Sequence, residues 1–400
     1  MQNIMAGKRD IRLDNLRGLL ITIVVIGHFL LPLYRTRFVT GLIYTIYIFH
    51  MPCFIMLSGY FAKGAYRREH TVSGSPWSAN SGPDDRRPRG AGAGPADGKG
   101  RFLWGRAVQL FWLYLLYELV VWITEGLAAG SIPRVPDLLH ESGAPWYLMS
   151  LGCYYLCIPL LEKARGLLRT KRLFIFAVML AVSFLKYIIQ PGDFLSLDRT
   201  IAFLPFFCLG YLTEKQDLQN FFHRGKKTPG SGLGTSAGSR IVSAAALVLL
   251  LIVFLFTYDY LMRWHLVVYG ADYRRYLPEM QPRLWILNMI WYGLAAVISL
   301  GVAGLMPERP LGAAGPTFSL SLDELGRRSL QIYFLHRPIR DILEWRGFYA
   351  WINPHSKVQV IALAAGSIVL TILLGMPWLT GPFEKLRHWF DPLLEKSGGL

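Results

Sequence analysis

Long apolar runs separated by short polar stretches set the pattern of this chain. Ten runs stand out, at about 16–34, 41–62, 103–124, 146–163, 172–189, 199–213, 240–260, 284–306, 328–346 and 357–379. A helix crossing a bilayer needs about 20 mostly apolar residues. The pattern therefore predicts an all-α integral membrane protein, a bundle of about ten transmembrane helices. The sixth run is short and the ninth is polar. The first run holds His28, lacks a small-residue cleavage site and is followed by further spans, so it reads as a retained helix and not a cleaved leader. Two stretches, 63–101 and 214–240, lose the apolar pattern and are rich in Gly, Ser, Pro and charge; they are expected to be flexible cytoplasmic loops. No repeat of 20–50 residues is visible, and no 100-residue polar segment is left for a soluble domain. One polytopic domain over 1–400, with its core at 11–380, is expected to carry the function.

Composition agrees. Apolar residues make up 53% and charged residues 17%, against about 25% charged in an ordinary soluble domain. A water-soluble enzyme and a mainly disordered chain are both excluded. The net charge of +16 raises the question of nucleic acid, but its distribution answers it. With residues 1–17 placed inside, the inside segments hold 29 of the 42 Lys and Arg. That is the bias expected of cytoplasmic loops, so both termini are expected in the cytoplasm and no nucleic-acid partner is implied. The four cysteines (Cys53, Cys153, Cys157, Cys208) lie inside apolar runs, which argues against a disulfide-stapled fold. Cys153 and Cys157 are one helical turn apart, but no third ligand completes a metal set, and no metal is expected.

Ionisable groups inside spans are costly and so point to function. His28 lies eleven residues beyond Arg17 on the first run, about 16 Å along a helix and only about 20° out of phase with it. Arg17 would sit at the cytoplasmic rim and His28 deep on the same face, with Asp14 one turn before Arg17 to hold its guanidinium. A shared face suits a long anionic ligand whose phosphates meet Arg17 and whose reactive end meets His28. His50 lies about ten residues into the second run and His336 about eight into the ninth, so the three histidines are expected at similar depth. Any one of them also fits a core residue bonded to a backbone carbonyl. Pro52 frees a carbonyl one turn earlier and predicts a kink beside His50. Ser58-Gly59 fits close helix packing. Ser329, Tyr333 and Arg337 recur at every fourth position and mark a polar stripe, with His336 one turn from Tyr333; such a stripe also fits the wall of a water-filled cavity. Arg101 and Arg106 open the third run, where they fit either phosphate binding or topology.

Together these residues resemble the membrane acyltransferase 3 family. The resemblance is carried by Ile11-Arg12-Leu13-Asp14-Asn15-Leu16-Arg17-Gly18 with ten residues from Arg17 to His28. It continues with Phe49-His50-Met51-Pro52 through Ser58-Gly59-Tyr60, then Trp146-Tyr147-Leu148, Phe203-Leu204-Pro205-Phe206-Phe207 to Gly210-Tyr211, and Leu325-Gly326-Arg327-Arg328-Ser329-Leu330 to Tyr333 and His336. These occur in family order from residue 11 to about 340. The resemblance implies an acyl-CoA donor, most simply acetyl-CoA, on the cytoplasmic side and a hydroxyl acceptor such as a sugar of a surface glycan. It implies that His28 is catalytic and that Arg17 supports the donor. Arg101 and Arg106 match the family's loop arginines with four residues between them instead of two. A neutral imidazole suits a base that takes a hydroxyl proton, and Arg337, Tyr333 or His50 are candidates to stabilise the oxyanion.

A second reading, a proton-coupled secondary transporter or exporter with a buried His/Arg relay, also fits deep ionisable groups and a kinked helix. The internal two-fold repeat expected of it is not visible. A multi-pass protein of a bacterial inner membrane is expected on either reading.

Overall fold

The computed structural model describes residues 10–34, 36–72, 101–129, 138–140, 143, 145–167, 172–189, 191–223, 237–256, 265–270, 283–313 and 321–389. Its helices, in chain order, are α1 (Ile11–Leu30), α2 (Arg37–Tyr47), α3 (His50–Val72), α4 (Arg101–Ala129), α5 (Trp146–Leu167), α6 (Arg172–Ser183), α7 (Lys186–Ile189) and α8 (Leu197–Leu212). They continue with α9 (Lys215–His223), α10 (Ala237–Phe256), α11 (His265–Tyr269), α12 (Leu284–Leu305), α13 (Leu322–Arg327), α14 (Ser329–Trp345), α15 (Lys357–Leu374) and α16 (Pro377–Arg387). Among the described residues the only β pairing is an isolated bridge between His140 and Phe194.

Seven helical stretches among the described residues are long and apolar enough to cross a membrane: Ile11–Leu33, Arg37–Arg67, Leu103–Leu127, Arg172–Ile189, Gly238–Phe256, Leu284–Leu305 and Lys357–Leu374. Leu173, Ile188, Ile241 and Val358 turn outward and are largely exposed, as side chains facing lipid must be. This is a multi-pass membrane protein. The fourth, sixth and ninth apolar runs are helical too but fall short of that measure for visible reasons. Helix α5 ends in Glu162, Lys163 and Arg165, α8 has 16 residues, and α14 has 17 with Arg337, Arg340, Asp341 and Glu344 among them.

Three expectations need correcting. The second run is two helices, because the backbone turns at Ile48-Phe49 between α2 and α3. The cause is Pro52, which has no N–H to offer the Ile48 carbonyl; the Trp291 indole N–H donates to that oxygen instead at 3.1 Å. His50 therefore opens a helix and is not ten residues into one. His28 likewise sits in the last turn of α1. The stretches 63–101 and 214–240 are also partly helical: α3 continues to Val72, α9 covers Lys215–His223 and α10 begins at Ala237. Residues 73–100 and 224–236 lie outside the described residues.

Helix α1 is the hub, packed on α13, α14 and α15 and also on α2, α3 and α12. Two pairs of glycines bring backbones into contact. A Cβ at Gly18 would collide with the Leu322 carbonyl, and one at Gly326 with the Asp14 carbonyl, which locks α1 against α13. Gly59 meets the Phe207 carbonyl and Gly210 the Met56 carbonyl in the same way, which locks α3 against α8.

Candidate active site

The polar stripe of α14 lines adjacent cavities within the bundle. Ser329 and Tyr333 line one cavity of about 200 Å³. Tyr333 and Arg337 line a second of about 210 Å³. Val24, Met51 and Tyr333 belong to both walls, so the two cavities meet at these three side chains. Arg337 also lines a third cavity, with Glu125, Arg340, Asp341 and Glu344.

Arg17 marks the first cavity. Its Nη2 donates to Ser329 Oγ at 3.1 Å, its Nη1 stands 3.8 Å from Asp14 Oδ1, and its guanidinium lies over the Phe61 ring at 5.3 Å. The anticipated Asp14–Arg17 pair is thus present, and Ser329 fixes the fork. Arg106, Gln109 and Arg387 line the same cavity, so three cations from α1, α4 and α16 converge on one space, an arrangement suited to phosphates. Arg101 begins α4, with its side chain outside the described residues. Ser58 lines this cavity as well; its hydroxyl donates to the Phe54 carbonyl at 2.9 Å and therefore accepts from the Tyr147 hydroxyl, also at 2.9 Å. Gly59 beside it packs against the Phe207 carbonyl.

The second cavity brings together His28, His50, Arg199 and Arg337 among Tyr47, Trp146, Phe203, Tyr269 and Tyr333. Among the described residues no carboxylate lines it. His50 Nδ1 contacts the Ile46 carbonyl at 2.9 Å. A carbonyl only accepts, so Nδ1 carries the proton and, in the neutral ring, Nε2 is an acceptor. That removes neutral His50 as an oxyanion donor and leaves Arg337 and Tyr333. Arg337 Nε is held by Asp341 at 2.9 and 3.1 Å, and Gly143, at φ +133°, brings a backbone without Cβ up to its Nη2. His28 and His336 touch at 2.7 Å. The three histidines therefore converge, His28 from the last turn of α1, His50 from the first residue of α3 and His336 from the middle of α14.

Arg199, Arg387 and Gln109 were not anticipated. Arg199 starts α8 with its guanidinium over Trp146 at 5.5 Å, and Arg387 lies in the last turn of α16. Basic residues at the ends of runs read from sequence as topology signals, and nothing local separates those two roles. On composition alone Trp146-Tyr147 reads first as an aromatic interface belt; in the structure Trp146 lines the second cavity and Tyr147 the first. Among the described residues no group of three or more His, Cys, Asp or Glu is placed to hold a metal, and all four cysteines are free thiols.

Residues 10–377 match the model of a family described as an acyltransferase domain. Among curated proteins, the nodulation protein NolL of Sinorhizobium fredii is 30% identical over 219 residues, 52% of this chain and 49% of that protein. NolL of Mesorhizobium japonicum is 25% identical over 213 residues, 51% of this chain and 48% of that protein. The matched region thus spans about half the length of these relatives. No solved structure matches the chain. The family match runs from the N-cap of α1 to the start of α16 and takes in Arg17, His28 and the whole α14 stripe; the chain belongs to the acyltransferase 3 family.

Proposed function

We propose that this protein is an O-acyltransferase that moves an acyl group, most simply acetyl, from acyl-CoA to a hydroxyl of a carbohydrate acceptor such as a surface glycan. On this reading it is a single domain with its core over 11–380, crosses a bacterial inner membrane ten times and has both termini in the cytoplasm. Acyl-CoA enters the Arg17 cavity from the cytoplasmic side, its phosphates taken by Arg17, Arg106 and Arg387, with Arg101 nearby in sequence. Its thioester reaches past Val24, Met51 and Tyr333. The acceptor occupies the aromatic cavity around His28, where rings such as Trp146 and Tyr269 offer faces for a sugar to stack on.

His28 takes the proton of the acceptor hydroxyl. The oxygen attacks the thioester carbonyl, and Arg337 or Tyr333 donates to the oxyanion. The C–S bond then breaks, and the CoA thiolate recovers the proton from His28. The observation that carries this reading is the meeting of a three-arginine cavity and a histidine cavity at one shared wall, in a chain of this family.

The test is thioester turnover by the full chain in detergent with acetyl-CoA and a panel of methyl glycosides, followed as free thiol and compared with His28→Ala. Acceptor-dependent thiol release that disappears in the variant is the expected result. No release across the panel, together with no thermal stabilisation by CoA, overturns the reading in favour of a transporter.

A further inference from the structure

The geometry points to His336 as a positioning residue that holds His28 in the one tautomer able to act as a base, without itself reaching the substrate. This rests on the reading of His28 as the base. His336 is fully buried. Its neighbours on α14, Tyr333 and Arg337, line the His28 cavity, but His336 does not; His28 and His50 do. His336 thus stands behind His28 and contacts it directly, at 2.7 Å.

The hydrogen-bond pattern says what it does there. His336 Nδ1 contacts the Ile332 carbonyl at 3.0 Å. The carbonyl has no proton to give, so His336 Nδ1 carries one, and in the neutral ring Nε2 holds a lone pair. That lone pair faces His28 Nδ1 at 2.7 Å, so His28 Nδ1 must be the N–H donor. In neutral His28 the remaining nitrogen, Nε2, is then bare and available as a base. The rings are only 18° from parallel with centroids 5.0 Å apart. That separation is what a 2.7 Å contact plus two ring radii gives, so the rings meet edge to edge in one plane, the best alignment for N–H···N. When His28 takes a proton, its Nδ1–H stays directed at His336 Nε2 and the imidazolium keeps its partner. A carbonyl thus sets one histidine, and that histidine sets the next, the role an outer-shell acceptor plays for a working imidazole.

The test uses the full chain, 15N-labelled at histidine and reconstituted in nanodiscs, with the His28 signals identified by their absence in His28→Ala. The nitrogen shifts report which ring atom carries the proton, without requiring turnover. In the wild type, His28 is expected to be protonated at Nδ1 and bare at Nε2. His336→Leu should lose that preference and lower kcat, measured with acetyl-CoA and the methyl glycosides, by about 10–100-fold, while KM for acetyl-CoA moves less than about two-fold. His336→Gln places an amide oxygen near the position of Nε2 and should restore both the tautomer and most of kcat. His336→Asn, equally polar but too short, should restore neither. An unchanged His28 tautomer in His336→Leu, or Gln and Asn behaving alike, overturns the proposal. Full turnover in His28→Ala instead overturns the base reading, and the tautomer measurement keeps the two failures apart.

Discussion

Arg17 illustrates why residue type and not charge alone shapes the first cavity. Its fork makes three contacts at once, with Ser329, Asp14 and the face of Phe61. Lysine keeps the charge but not the plane, so it cannot hold Ser329 and a phosphate together. A charge-assisted hydrogen bond contributes about 1.5–3 kcal/mol, so Arg17→Gln is expected to raise KM for acetyl-CoA roughly 10–100-fold. Arg17→Lys should recover only a part of that, and steady-state kinetics at fixed salt would check both. An Arg17→Lys variant with wild-type KM would show that only the charge matters. The placement of Arg17 and His28 on one helix was legible, because phase along a helix follows from spacing alone. Arg387 and Arg199 were not, because they join the site only through tertiary packing of α16 and α8.

Between elements, the glycine contacts are the most exacting feature. Gly59 and Gly210 face each other's helix backbone across α3 and α8, and Gly18 and Gly326 do the same across α1 and α13. A methyl group in these positions meets a carbonyl, which cannot rotate away as a side chain would. Gly59→Ala and Gly326→Ala are each expected to cost about 1–3 kcal/mol, seen as a lower Tm in detergent. Gly293→Ala on α12 is the matched control: nothing lies within 4 Å of its added carbon, and removing a helical glycine should leave Tm unchanged or raise it. Equal Tm values for all three would mean that the helices can separate without loss. Ser58-Gly59 was legible as packing, and Pro52 as a break, because both rules are local. The partner of the freed Ile48 carbonyl was not: Trp291 lies 243 residues away.

For the whole molecule, two features link helices that no local pattern connects. One is a charge cluster at the ends of two apolar spans, where Glu214, itself outside the spans, pairs with Lys63 at 2.6 Å and Arg67 at 2.9 Å, with Arg165 at 3.5 Å and Arg172 at 3.7 Å. Burial works against its charge, but the hydrogen bonds from Lys63 and Arg67 outweigh burial and hold the carboxyl at about 2, below the ordinary 4.5. A depressed carboxylate contributes stability that is complete above its unfolded value and is lost as pH falls through the folded one. The Tm advantage of the wild type over Glu214→Gln should therefore shrink as pH falls from about 4.5 to about 2, and a difference constant over that window would rule the cluster out as its source. The other feature is the pair of adjacent cavities. Their adjacency was not legible, because Val24, Met51 and Tyr333 sit on three different helices and only one of them, Tyr333, was marked by the polar stripe. The shared wall gives the sharpest test of the two-cavity architecture. Met51→Trp adds bulk where the cavities meet without touching Arg17 or His28. If a thioester must cross this point, the variant should lose at least about ten-fold in turnover, since even a 1 Å misplacement costs far more than that. It should still be stabilised by CoA to the extent expected of the wild type, because the arginines of the first cavity are intact. Loss of both would place CoA deeper than the arginine cavity, and loss of neither would mean that donor and acceptor meet somewhere other than at this wall.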